Sequence, residues 1–209
     1  MDVGSLGHCA GEDTGIGGAD TEVASILGGM TIRPLHALLR TSVAASLAFL
    51  FIAATYGDVA HPAAGDSFQI ESAANAGRLL RVKDARSENG TPIVLYPKVA
   101  WKCMTWQFEA DGEGFRLRNH FTRKTLGPAT KPSDASTPVV QKPLEKEPSA
   151  SEAWRFEPVA DTDGLVRLVH VESGFVLEAN DDGGTVLAKP SDSPNQRWRL
   201  LPKPEKFTG

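Results

Sequence analysis

Groups able to do acid–base, nucleophilic or metal chemistry are dispersed along this sequence. His61, His120 and His170 stand far apart with no metal-ligand spacing, and there is no Gly-x-Ser-x-Gly, phosphate-binding loop or Cys-x-x-Cys. No His or second Cys lies near Cys103 in the sequence to activate it, so it reads as a small, partly buried hydrophobe. Asp181 and Asp182 precede Gly183-Gly184 without the ligand spacing of a calcium loop and read as an acidic hairpin turn. Asn89-Gly90-Thr91 fits a glycosylation sequon as well as a tight turn, and the turn is preferred. No catalytic residue, metal or cofactor is expected.

What does recur is tryptophan. Trp106, Trp154 and Trp198 are separated by 48 and 44 residues, and each is followed two residues on by a large apolar side chain, Phe108, Phe156 or Leu200. That spacing puts both side chains on one face of a strand. Upstream of each Trp three further short strands repeat, giving four per unit and twelve in all: "FQIES", "RLLRV" and "TPIVLYP"; then "FRLRN", "KTLGP" and "TPVVQKP"; then "VRLVHV", "FVLEA" and "TVLAKP". In register they place Ile70, Leu117 and Leu168, then Leu80, Leu126 and Leu177, then Ile93, Val139 and Val186 in a common core with the three Trp residues. Turn pairs such as Ala76-Gly77, Asp111-Gly112, Asp163-Gly164 and Gly183-Gly184 separate the strands, and no window reads as a long amphipathic helix.

One four-stranded unit cannot bury its apolar face alone, whereas three around a shared axis can close a barrel and cap it with hairpins. The expected fold is all-β, a β-trefoil of three units at about 67–109, 110–157 and 158–202, with a tail at 203–209.

The tripled Trp unit, "SGFVLEA" at 173–179 and "NQRWRL" at 195–200 resemble the ricin B-type lectin domain, a β-trefoil whose units carry Gln-x-Trp. The resemblance covers about 67–202 and implies carbohydrate binding. Per unit, such recognition takes a carboxylate after the second strand, an aromatic plate at the end of the third and an amide just before the Trp.

By that resemblance the third unit is the best formed. Glu178 stands at the carboxylate place, Asn195 and Gln196 match the amides, and Lys189 takes the aromatic slot. In the first unit Tyr96 fills the aromatic slot, Arg81 replaces the carboxylate and Met104 the Gln, with Asp84 and Asn89 able to lend polar groups. The middle unit, with Gly127, Lys142 and Glu152 at the three places, is expected to be structural. Trp101, between Lys98 and Lys102 but outside the triple pattern, is read as a loop plug.

Residues 1–29 are Gly-rich and acidic without Lys or Arg, and read as a disordered or untranslated leader. From Met30 to residue 60 the layout is that of a secretory signal peptide: Arg33 and Arg40 precede an apolar run of about 15 residues, short of the roughly 20 that span a bilayer. Residues 61–66 would be a linker. Export is therefore expected, with membrane association only through an uncleaved N-terminal segment. Counted from Asp58 onward, 20 Lys and Arg stand against 21 Asp and Glu. So near-neutral a chain lacks the basic face that a nucleic-acid partner requires. The expected partner is a glycan or polysaccharide. The alternative is an extracellular protein held by a trefoil that has lost sugar binding and serves as a scaffold or inhibitor.

Overall fold

The computed structural model describes residues 62–132, 136–147 and 149–208. The leader, the signal peptide and His61 of the linker lie outside them.

Short runs with apolar side chains at every second position form twelve strands: β1 (Ser67–Ser72), β2 (Arg78–Val82), β3 (Ile93–Pro97), β4 (Thr105–Asp111), β5 (Gly114–Asn119), β6 (Thr125–Pro128), β7 (Thr137–Lys142), β8 (Trp154–Pro158), β9 (Leu165–His170), β10 (Val176–Ala179), β11 (Thr185–Ala188) and β12 (Trp198–Pro202). All pairings are antiparallel. Six strands close a ring: β1 pairs with β4, β4 with β5, β5 with β8, β8 with β9, β9 with β12, and β12 returns to β1. Closure leaves this barrel without a free edge.

The other six strands are the hairpins β2–β3, β6–β7 and β10–β11. They meet one another through Leu187 opposite Thr137 and through single bridges between Pro92 and Val140 and between Val94 and Gly184. Three hairpins thus cap a six-stranded barrel.

The triplication holds in the cross-strand register. Trp106 faces Asn119, Trp154 faces His170 and Trp198 faces Ser72, while Phe108 faces Leu117, Phe156 faces Leu168 and Leu200 faces Ile70. All three Trp side chains are fully buried in one continuous core. Phe108 and Phe156 stack at 4.8 Å, with Phe68 and Phe115 packed beside Phe108. Gly114 is required by crowding: a Cβ there would come within 2.6 Å of the Trp154 carbonyl oxygen.

One expected core position moves. Val186 is only partly buried and faces Glu178 on the outer side of its hairpin, whereas Leu187 is fully buried opposite Leu177. The third strand "TVLAKP" is one residue shorter than its two counterparts, so matching the strands by their side chains slips by one. In the ladder Thr185, not Val186, is the counterpart of Ile93 and Val139, and its hydroxyl donates to the Ile93 carbonyl at 2.9 Å.

The described part of the expected linker is tied down, since the Gly65 N–H donates to the Phe108 carbonyl at 2.7 Å. The tail is also held: Lys203 donates to the Ser67 carbonyl and Thr208 to the Ala100 carbonyl through their backbone N–H groups.

Candidate functional site

Each Trp reaches across to a leucine carbonyl on a cap hairpin. Trp106 Nε1 donates to Leu80 O at 3.4 Å, Trp154 Nε1 to Leu126 O at 3.2 Å and Trp198 Nε1 to Leu177 O at 3.0 Å. The residue after each leucine is Arg81, Gly127 or Glu178, the place reserved for a carboxylate by the ricin B-type resemblance. These bonds link the core directly to the strand that presents any site residue.

In the third unit the approach to β12 is a 3-10 helix, Pro194–Gln196, capped by Ser193, whose hydroxyl accepts the Asn195 N–H at 3.2 Å. The turn swings Gln196 inward until it is 1% exposed. There its amide is fully used. Nε2 donates to Glu178 Oε2 at 2.6 Å and to the Lys189 carbonyl at 2.9 Å, and Oε1 accepts the Ser191 N–H at 2.8 Å. Gln196 therefore holds the carboxylate in place and has no amide group left for a ligand. Glu178 is half-buried and keeps Oε1 for an outside donor. Asn195 is half-buried too, and its side-chain amide makes no hydrogen bond among the described residues.

The ladder also relocates the aromatic slot. Tyr96 faces Leu79, Lys142 faces Thr125 and Ala188 faces Val176, so Ala188, not Lys189, is the counterpart of Tyr96. Lys189 lies one residue past the end of β11, exposed, and enters the constellation through its backbone carbonyl. The third unit thus has an anchored carboxylate, an unbonded Asn195 amide one residue before the group that anchors it, and Ala188 at the aromatic place. The short strand was the signal for the shift.

The first unit is built differently. Arg81 is 3% exposed, and its guanidinium carbon lies 4.2 Å from the Tyr96 ring centre and 5.2 Å from that of Trp101. Tyr96 and Trp101 stack on each other at 5.9 Å. The plate is therefore engaged by an arginine from its own hairpin, two residues along from Leu79, which faces Tyr96 in the ladder. Asp84 sits in the 3-10 turn Lys83–Ala85 at φ 53°, followed by Ala85 at φ 52°. Asn89 is exposed, and its Oδ1 accepts from Lys124 Nζ at 2.6 Å. Asp84 and Asn89 share the wall of a concavity of about 380 Å³ that Tyr96 does not line. The three first-unit candidates are therefore not gathered into one pocket. Arg81 and Trp101 join Tyr96 in one cluster.

No family model matches this sequence, and no curated protein matches it either. Solved structures do match by shape. A designed three-fold symmetric protein, ThreeFoil, superposes with a TM-score of 0.58 at 20% identity over 65% of this chain and 97% of its own. The ricin B-like lectin of Macrolepiota procera, solved in complex with lactose, gives 0.56 at 18% identity over 68% and 98%. The exo-beta-1,3-galactanase of Clostridium thermocellum gives 0.59 at 15% identity, over 66% of this chain and 30% of that enzyme.

The fold is a β-trefoil. The galactanase match shows the same trefoil as one part of a longer chain.

The middle unit of the trefoil closes its own site. A Cβ at Gly127 would lie 3.1 Å from Lys142 Cδ, so the lysine stem lies close over the carboxylate place. Glu152, the counterpart of Gln196, is 3% exposed with Oε2 unpartnered, and burial pushes its carboxyl up. Gln141, the ladder counterpart of Leu95 and Leu187, is 1% exposed and donates to the carbonyls of Arg86 (3.1 Å) and Glu88 (2.9 Å). It braces the loop of the first unit. At the β10–β11 turn, Asp182 Oδ1 accepts the Gly184 N–H at 2.8 Å, and among the described residues no group of three His, Cys, Asp or Glu is placed to hold a metal.

Proposed function

We propose that this chain is an exported, non-catalytic carbohydrate-binding module whose working site is in the third unit. The observation that carries the reading is the 2.6 Å bond from Gln196 to Glu178, with the half-buried Asn195 next to Gln196 in the chain and its amide unbonded among the described residues. A carboxylate fixed by one neighbour can accept two adjacent hydroxyls, and an amide both donates and accepts, which is the chemistry a polyhydroxylated ring requires. Without a plate, such a site binds weakly. The trefoil neighbours support the class of ligand, and the lectin solved with lactose makes galactosides the first sugars to try. Export is supported by the layout of residues 30–60.

The test is titration of the full chain with lactose, xylan and a panel of neutral glycans. Millimolar-range binding of at least one sugar, lost in Glu178→Ala and in Asn195→Ala, is expected. Absence of binding, or binding indifferent to both substitutions, would leave the protein-scaffold alternative. N-terminal sequencing of the exported protein checks cleavage near residue 60.

A further inference from the structure

The first unit holds a buried cation where its sibling holds an acid. Arg81 and Glu178 occupy equivalent places, each one residue after a leucine whose carbonyl is bonded by a core Trp. Around Glu178 the protein provides a partner, Gln196. Around Arg81 the described residues provide aromatic faces and no hydrogen-bond partner. Met104, fully buried, stands where Gln196 stands, and Arg81 makes no hydrogen bond or ion pair among the described residues. Its Nε is buried and unpartnered.

A guanidinium that is 3% exposed and unpaired is costly unless something completes it. Tyr96 and Trp101 satisfy its face by cation–π contact, but its N–H bonds lie in the guanidinium plane, at the edge, and that edge has no hydrogen-bond partner among the described residues. The edge matches a carboxylate, which takes two parallel N–H···O bonds in one plane. The surrounding loop adds positive charge, with Lys98 and Lys102 flanking Trp101 and no acid between them. It is also pinned: Gln69 Nε2 donates to the Val99 carbonyl at 2.9 Å and the tail bonds Ala100.

We infer that the first unit is an anion site that takes a carboxylate-bearing sugar, the acid of the ligand pairing with Arg81 where it lies against Tyr96 and Trp101. The class of ligand rests on the carbohydrate-binding reading above, while the site is separate from that of the third unit. The two units would then sort acidic from neutral sugars by the sign of one residue.

The test is nitrogen–proton NMR of the Arg81 Nε–Hε group in the full wild-type chain, titrated with galacturonic acid, with its methyl ester and with galactose. Saturable movement of the Arg81 resonance by the acid, at least about tenfold weaker with the ester, is expected. An unmoved resonance, or one that acid and ester move alike, overturns the inference and makes Arg81 a permanent plug. Arg81→Gln is expected to lose the acid while keeping the galactose response that Glu178→Ala removes. Binding of the acid that survives in Arg81→Gln also overturns it. Because the wild-type titration is read at Arg81 itself, the result stands even where Arg81→Gln fails to fold. Loss of the galactose response alone bears on the third unit only.

Discussion

Gln196 and Glu178, 18 residues apart, are joined by a 2.6 Å hydrogen bond that fixes a surface carboxylate from a buried amide. Binding and stability should therefore separate between the two partners. Gln196→Ala strands the Ser191 N–H and the Lys189 carbonyl, and is expected to lower unfolding free energy by about 1–3 kcal/mol. Glu178→Gln keeps the backbone bonds of Gln196 and is expected to change stability by less than about 1 kcal/mol while removing sugar binding. Urea denaturation set beside sugar titration checks both.

The ladder places Ala188, not Lys189, where the first unit has Tyr96. Ala188→Tyr should give the third unit its missing plate and tighten galactoside binding by about 3- to 10-fold. Lys189→Tyr, one residue past the strand, should leave affinity within about twofold. Calorimetry on the two variants checks the register as well as the site.

His170 bridges the Ser151 carbonyl and the Ser173 hydroxyl with its two ring nitrogens, edge-on to Trp154, and burial pulls its pKa below 6.5. His120 shifts the same way, through burial and then the nearby Lys203. Below 6.5 the unfolded chain gains protons that the folded chain resists, so stability should fall with acidification until the pH passes the lowered folded values. Asn119 occupies the matching place in the preceding unit and bonds the matching carbonyl, that of Cys103. His170→Asn should thus fold and flatten part of the decline. Melting curves from about pH 7.5 to about pH 5.5 decide it.

Glu152 stands at Gln196's place in the middle unit, buried, with its carboxyl pushed up and Oε2 unpartnered. Its charge opposes folding as pH rises above 4.5, the reverse of the histidine effect. Glu152→Gln should raise stability at neutral pH by about 1 kcal/mol or more, an increase that shrinks on acidification. Denaturation at neutral and at acid pH would show it.

The fold could be read from the sequence because Trp106, Trp154 and Trp198 each combine a strand-period partner with a fixed place in a repeat, and period survives divergence. The third-unit constellation was legible in its residue types, Glu178, Asn195 and Gln196. The sequence also favours Gln196 as a brace on backbone, but its grip on the Glu178 carboxylate came only with the 3-10 turn at Pro194, which sends Gln196 inward and leaves Asn195 half-buried. The slip at Val186 and Lys189 came from a strand one residue short, which side-chain type alone cannot align. The Arg81 stack escaped because no local pattern reveals that a plate is already taken.

The pairing of β1 with β12 has a temporal meaning. Ile70 finds Leu200, and Ser72 finds Trp198, only when β12 has joined β1, so until then β1 and β9 each lack a neighbour and the core lacks its third indole. A chain caught before that point carries two raw edges open to pairing with another chain. Barrel closure, and with it the setting in which Gln196 holds Glu178, therefore depends on a contact between the first strand and the twelfth.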